Sequence, residues 1–158
     1  MPAARTIWSD VLEDIACLCE HTPQPGEVAH ALCTNRGIQA MVVYRASHVL
    51  WRRGVPLLPD LLTRVIQILY AIDVAYDANI APGCLIVHGV GTVIASGATI
   101  GRWAVIYHGV TIGTRAYSRS YGSGRDGVPH IGDHVMLGAG AKILGKVTVG
   151  DYAAIGAN

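Results

Sequence analysis

Residues 91–113 read GTVIASGATIGRWAVIYHGVTIG and residues 129–158 read PHIGDHVMLGAGAKILGKVTVGDYAAIGAN. In both stretches an aliphatic residue returns at every sixth position. These anchors are Ile94, Ile100, Ile106, Ile112, Ile131, Leu137, Ile143, Val149 and Ile155. A small or medium side chain lies two residues before each anchor, and glycine often follows the anchor. This hexapeptide repeat is a sequence signature of the β-helix.

A period of six fits neither an amphipathic helix nor a long alternating strand, but it fits a short strand followed by a turn. The anchor and the residue two before it face the same side of an extended segment. Three such segments close one coil, and several coils must stack before a continuous core exists. The anchors predict about three coils. Ile80 and Ile86, which lie before the regular repeat, indicate one more coil. Antiparallel hairpins are the alternative, but the strict spacing leaves no room for their turns.

The repeat predicts a mainly β protein with two parts, a helical domain over residues 1–73 and a β-helix over residues 74–158. Helical patterns are predicted at 10–19, with Ser9 as N-cap, at 27–33, at 38–53 and from Pro59 onward. These helices are too apolar to stand alone. We therefore expect them to cover the open end of the β-helix.

The composition excludes several classes of protein. Hydrophobic residues make up 51% of the 158 residues, charged residues 15%, and the net charge is +1, so neither nucleic acid nor an anionic membrane is indicated as a partner. No apolar run reaches the length of a membrane span. The cysteines, which lack paired spacing, are Cys17, Cys19, Cys33 and Cys84. They indicate small buried residues rather than a zinc or disulfide framework, and with no secretory leader they predict a cytoplasmic protein.

Between the two repeat stretches the sequence TRAYSRSYGSGRDGV forms a polar, glycine-rich excursion at residues 114–128. A long loop at this place is either functional or a tolerated insertion at a corner of the repeat, and its length does not decide between them. Its arginines, Arg115, Arg119 and Arg125, favour a lid over an anionic ligand.

Five segments carry a resemblance to a known family. They are YRASHVLWRRG at 44–54, AIDV at 71–74, VHGVGTVI at 87–94, YHGVTIG at 107–113 and VMLGAGAKILGKVTVGDYAAIGAN at 135–158. In this order they resemble bacterial serine O-acetyltransferases, from about residue 9 to the end. The resemblance implies a left-handed parallel β-helix behind a helical domain, acetyl-CoA as co-substrate with no permanently bound cofactor, and a homotrimer or a dimer of trimers.

Acyl transfer to a hydroxyl needs a base, because a neutral hydroxyl is a poor nucleophile. Histidine has a suitable pKa, and the resemblance identifies His88 as the base and Asp73 as the carboxylate that orients it. A histidine that merely packs at an irregular corner is the alternative for His88. His108 lies inside a regular repeat, so a packing or hydrogen-bonding role is expected there.

The resemblance also implies where the CoA moiety binds. The residues are Gly113, Thr114, Gly138, Ala139, Ala141 and Lys142. Glycine and alanine at these places have an architectural alternative, since corners need small residues anyway. Lys142 is better evidence for CoA binding, because its positive charge can pair with the phosphates of CoA.

Three positions depart from the family pattern for the acceptor. Val87 replaces an aspartate before the base, Val128 replaces a histidine before a proline, and Thr22 replaces a further aspartate. Such polar contacts discriminate strongly between substrates. Their loss predicts a less polar hydroxyl acceptor, such as a specialised-metabolite precursor, in preference to free serine.

Two other hypotheses about the function remain. The first is a zinc enzyme like the γ-type carbonic anhydrases, for which the candidate histidines are His88, His108, His130 and His134. Their spacing does not match that family, so no metal site is predicted. The second is a non-catalytic β-helix scaffold.

The sequence ends at Asn158 within a coil, which is expected for a truncated product.

Overall fold

The computed structural model describes residues 6–115 and 127–158. Its first half is helical, with α1 at Ile7–Cys19, α2 at Pro25–Thr34, α3 at Arg36–Arg52 and α4 at Leu58–Tyr70. In these two ranges, no helix combines the length and the hydropathy that crossing a membrane requires.

Helix α1 begins earlier than the sequence predicts. Its N-cap is Thr6, whose side-chain oxygen accepts the backbone N–H of Ser9 at 3.1 Å. Ser9 is the third residue of the helix, and its hydroxyl oxygen accepts the backbone N–H of Thr6 at 3.1 Å. The prediction of Ser9 as N-cap is therefore wrong by one turn, because two hydroxyl residues three apart form a reciprocal capping box.

Short strands follow the helices. They are β1 Asp73–Val74, β2 Asn79–Ile80, β3 Leu85–Val87, β4 Val93–Ile94, β5 Thr99–Ile100, β6 Val105–Tyr107, β7 Thr111–Gly113, β8 His130–Ile131, β9 Met136–Leu137, β10 Lys142–Leu144, β11 Thr148–Val149 and β12 Ala154–Ile155. Because the helices contain more residues than these strands, "mainly β" understates the helical part of the chain.

The strands form three parallel sheets, which are the faces of a β-helix. Face A has the order β1-β4-β7-β10, face B β2-β5-β8-β11 and face C β3-β6-β9-β12. Every third strand therefore returns to the same face, which gives four stacked coils. We name the corners by the faces that they join. The CA corner, which matters most below, consists of residues 88–92, 108–110 and 138–141.

The repeat anchors line the inside of the coils. Eight of the nine are buried, and Ile155 in the last coil is partly exposed. The repeat also extends further back than predicted, because Val74 pairs with Ile94 and Ile80 pairs with Ile100. Val74, Ile80 and Ile86 are six residues apart, whereas Ile86 and Ile94 are eight apart. Two extra residues thus enter the chain at the first CA corner.

Helix α3 holds the first coil through polar side chains. The Tyr44 hydroxyl donates to the Ala78 carbonyl at 2.7 Å and accepts the Ile80 N–H at 3.1 Å. Arg45 donates to the carbonyls of Ile80 and Ala81, the latter at 3.0 Å. These contacts satisfy backbone groups that no earlier coil is present to pair, so the helices cover the first coil as expected.

Candidate active site

His88 lies at the two-residue insertion in the first CA corner. Its φ is 61°, in the left-handed region, and its side chain is exposed. A histidine at positive φ is uncommon, and such conformations often occur at functional sites. Within residues 6–115 and 127–158 its imidazole makes no hydrogen bond. The ring is therefore available to a ligand.

Asp73 begins β1 and is partly buried. One of its carboxylate oxygens accepts the side-chain amide N–H of Gln67 in α4 at 3.0 Å. No hydrogen bond joins Asp73 to His88 in the described part of the chain. Gln67 was not predicted as a partner of Asp73, since it lies in a helix that carries no recognised motif.

His108 lies one coil below His88 on the same corner. The two ring centroids are 6.3 Å apart, and the ring planes meet edge-on at 60°. His108 is exposed, and its imidazole has no hydrogen bond among the described residues. Of the expected packing or hydrogen-bonding role, the described residues show only the edge-on contact with the His88 ring.

A strip without side chains runs down the CA corner below the first histidine. It is formed by Gly91, Gly109 and Gly140, whose φ angles are +74°, +70° and +78°. A Cβ on Gly91 would lie 3.6 Å from the Gly109 Cα, and one on Gly109 would lie 3.5 Å from the Gly140 Cα. The glycines are therefore stacked in register. We call these three residues the glycine strip.

Lys142 lies beside this strip. Its ammonium donates to the Gly109 carbonyl at 2.5 Å and to the Thr111 hydroxyl at 3.1 Å. The predicted CoA residues on the same corner or at its edge are Gly138, Ala139, Ala141 and Lys142. The other two, Gly113 and Thr114, follow the opposite end of face A, at the AB corner. The predicted set is thus divided between two corners.

The three predicted acceptor residues are also apart. Val87 packs against an apolar cluster formed by the helices and Leu85. Thr22 is exposed and lines a cavity of about 360 Å³ together with Trp103, and neither Val87 nor His88 is among the lining residues. Val128 lies at the AB corner, where a Cβ on Gly97 would come within 3.7 Å of it.

The predicted loop at residues 114–128 lies largely outside the described residues, including Arg119 and Arg125. Arg115 is described and exposed. It lines a cavity of about 480 Å³ with Lys142 and five apolar side chains of the last coil. This cavity does not include His88, so it does not add to the corner that carries the histidines.

The four histidines that were named as candidate zinc ligands are spread over the β-helix. His88 and His108 share the CA corner, while His130 lies in face B and His134 stacks on Tyr152 with ring centroids 4.8 Å apart. Among the described residues, no three His, Cys, Asp or Glu side chains come close enough to hold a metal ion. The geometry gives no support to a carbonic-anhydrase-like site.

Comparisons with known proteins agree with this architecture. The family described as "Bacterial transferase hexapeptide (six repeats)" matches residues 129–158. The serine acetyltransferase of Helicobacter pylori is 38% identical over 122 residues, covering 77% of this chain and 68% of that protein. The serine acetyltransferase of Synechococcus elongatus is 32% identical over 154 residues, covering 96% of this chain and 60% of that protein.

A solved structure of Neisseria gonorrhoeae serine acetyltransferase in complex with serine superimposes with a TM-score of 0.83 at 31% identity. The alignment covers 96% of this chain and 60% of that chain. Repeat, fold and similarity together define a hexapeptide-repeat transferase. More closely, the chain belongs to the serine acetyltransferase family. It spans about 60% of the length of the Synechococcus and Neisseria proteins.

Proposed function

We propose that this protein transfers the acetyl group of acetyl-CoA to the hydroxyl of serine, with His88 as the general base. The observation that carries this proposal is the exposed imidazole of His88, without a hydrogen-bond partner in the described residues, on the same corner as the glycine strip. The proposed base and a narrow surface along which the extended arm of acetyl-CoA can lie are thus on the same corner. We also propose left-handed winding of the coils, which fits the repeat and the structural neighbours.

The proposed chemistry is a direct acyl transfer. His88 takes the proton of the acceptor hydroxyl as its oxygen attacks the thioester carbonyl carbon. The tetrahedral intermediate then collapses, the C–S bond breaks, and the CoA thiolate takes the proton from His88. Asp73 orients the imidazole and stabilises its protonated form once its carboxylate turns from Gln67 to His88.

The glycine strip supports the placement of the CoA arm. An extended pantetheine can approach the backbone closely only where side chains are absent. Gly138, Ala139 and Ala141 continue this narrow surface in the third coil, and Lys142 adds a positive charge at its edge. A phosphate of CoA is the natural partner for that ammonium group.

Similarity to the relatives supports serine as the acceptor. The proteins compared above are named serine acetyltransferases, and one is solved in complex with serine. The less polar acceptor predicted from Val87, Val128 and Thr22 gains no support from them. These three residues do not form one surface in a single chain, which weakens the inference that was drawn from them together.

A second subunit would complete the site, so we propose a homotrimer. The CA corner carries His88, whereas Gly113, Thr114 and Val128 belong to the AB corner at the other end of face A. An adjacent copy can bring its AB corner to this CA corner. The chain also exposes apolar side chains along and just before α4, namely Leu57, Leu58, Leu61, Val65, Ile68 and Leu69. Such a surface is typical of subunit contacts.

The experiment that tests the function is CoA thiol release from acetyl-CoA, followed with a thiol reagent. L-serine is compared with its O-methyl ether, which lacks the hydroxyl, and with less polar alcohols. We expect release with L-serine and none above background with the ether. Release only with a less polar alcohol would contradict serine but keep the chemistry. Sedimentation of the same sample gives the subunit count, and a monomer with full activity would contradict the shared site.

A further inference from the structure

We propose that the cavity between the end of α1 and the BC corner binds a small organic cation with an alkylated ammonium group. This corner joins faces B and C and includes residues 101–104. The cavity of about 360 Å³ is lined by Ala16, Cys17, Glu20, His21, Thr22 and Trp103. Its volume is in the range of sites for small organic ligands. The proposed acetyl transfer uses none of these residues, so the two proposals are tested separately.

The indole of Trp103 is the aromatic wall of the cavity. Its backbone φ is 58°, a left-handed conformation that is uncommon for so bulky a residue. A Cβ on Gly83 would lie 2.8 Å from the indole, so the first coil holds the ring from one side. The side chain is partly buried, and its N–H makes no hydrogen bond within the described ranges. Strained backbone of this kind often occurs at binding sites, and the face of a Trp ring attracts cations.

A carboxylate lines the same cavity. Glu20 is the C-cap of α1, has a left-handed φ of 61° and is exposed. In the part of the chain that the structure describes, its carboxylate forms neither a hydrogen bond nor an ion pair. The cavity therefore has an anionic group that no described side chain neutralises.

Two further features favour positive charge here. Helix α1 ends at the cavity, so the negative end of its dipole is near, and its last turn contains no basic residue. Burial, followed by the charges of Asp14 and Glu20, raises the pKa of the Cys17 thiol to about 11. Negative charge is thus felt by a group on the cavity wall.

The cationic side chains nearby are engaged with other carboxylates. Arg102 pairs with Glu13, and the His21 imidazole contacts the Glu27 carboxylate at 3.1 Å. Neither of them neutralises Glu20. A primary ammonium would gain little from so exposed a carboxylate, because both groups remain hydrated. An alkylated nitrogen loses less hydration and also gains from the indole face, so this class of ligand fits both walls.

Calorimetric titration with choline tests the proposal. The neutral alcohol 3,3-dimethyl-1-butanol has the same shape without the charge and is the control ligand. We expect one choline site per chain and no saturable heat with the alcohol. Glu20→Gln and Trp103→Leu should each weaken choline binding by roughly tenfold. Asp60→Asn removes an exposed charge from α4 and is the matched control, with choline affinity equal to wild type.

Several results would overturn the proposal. Equal binding of choline and the alcohol would mean that the cavity recognises shape alone, and choline without saturable binding would mean that there is no such site. Unchanged affinity in Glu20→Gln would remove the role of the carboxylate. Trp103→Phe keeps a weaker aromatic face, so it should bind choline less tightly than wild type even if Trp103→Leu does not fold. Failure of acetyl transfer to serine would contradict the proposed function, while choline binding would still decide this inference.

Discussion

The guanidinium of Arg45 and the carboxylate of Asp14 form a buried ion pair, with 3.0 Å between Nη2 and Oδ1. Asp14 comes from α1 and Arg45 from α3, and the Asp14 carboxylate also accepts the backbone N–H groups of Gly83 at 2.9 Å and Cys84 at 3.0 Å. One carboxylate thus ties two helices to the first coil. The corner that carries His88 follows only a few residues later.

Asp14→Ala should lower the free energy of unfolding by about 3–5 kcal/mol, because it leaves the Arg45 guanidinium buried and unpaired. Glu13→Ala is the matched control. Glu13 pairs with Arg102 near the surface, and such pairs contribute at most about 1 kcal/mol. Urea unfolding of both variants gives the comparison. If Asp14→Ala and Glu13→Ala lowered the free energy of unfolding equally, the buried pair would not be what holds the helices to the coils.

His88→Ala should lower kcat by about 10²- to 10⁴-fold without changing the oligomer, because it removes the proposed base. Asp73→Asn should lower kcat by roughly 10- to 100-fold, since the imidazolium proposed for His88 would lose a stabilising charge. Gln67→Leu frees the Asp73 carboxylate and should leave kcat at or above wild type. A large loss in Gln67→Leu would mean that the contact seen here, and not one to His88, is the active arrangement.

Gly109→Ala should raise KM for acetyl-CoA by roughly tenfold, because a methyl group would stand on the strip where the pantetheine arm is proposed to lie. The new Cβ fits beside Gly140 at 3.5 Å, but a φ of +70° strains alanine. Gly54→Ala is the control, with a φ of +73° and nothing within 4 Å. Both should lose about 1–2 kcal/mol of stability, and only the first should bind acetyl-CoA more weakly. Equal KM values would contradict the placement of CoA.

Stability should fall as the pH rises from about 10 to 12. Burial raises the pKa of Tyr44 to about 12, while its ordinary value is 10.0. Since the pKa is higher in the folded protein, the stabilising effect is complete below pH 10 and is lost as the pH approaches 12, by up to about 3 kcal/mol. Tyr44→Phe should be less stable at pH 8 but less sensitive to alkali.

Urea unfolding at several alkaline pH values measures this difference. Burial also raises the pKa values of the Cys17 and Cys84 thiols, but they are present in both proteins and cancel in the comparison. Equal alkaline sensitivity of Tyr44→Phe and wild type would show that another group is responsible.

Thiol labelling at pH 8 should follow burial. Cys33 is exposed and should react with iodoacetamide first. Burial raises the pKa of Cys17 to about 11, so only about one thiol in 10³ is ionised at pH 8. Cys84 is fully buried and should react only after unfolding. Mass spectrometry of peptides gives the order, and early labelling of Cys84 would contradict the packing of the first coil. Background from Cys33 must be subtracted in the thiol-release assay.

The β-helix was predictable because its inward side chains repeat at a fixed spacing. A six-residue period is a local property of the chain, and the burial of Ile94, Ile106 and Leu137 follows from it directly. Val74 was missed since the two-residue insertion at His88 breaks the period before it. The same break is what identifies this corner as unusual.

The site was only partly predictable. His88 is exposed on the CA corner, where a ligand can reach it, whereas the partner of Asp73 in the structure is Gln67. Such partners depend on how helices pack on coils, which no local spacing records. Asp14 illustrates this best, because its backbone partner Gly83 lies 69 residues away in the chain. The less polar acceptor inferred from Val87, Val128 and Thr22 gains no support from the relatives, and in a single chain these three residues lie apart.

The glycine strip limits which substitutions the CA corner of this protein tolerates. Each of its glycines has a positive φ, which strains any side chain, and a Cβ added to Gly91 or Gly109 would contact the next glycine of the strip. The AB corner carries Gly113 and Thr114, which are also proposed to bind CoA, so a library that seeks new acceptors should leave both the strip and these two residues unchanged.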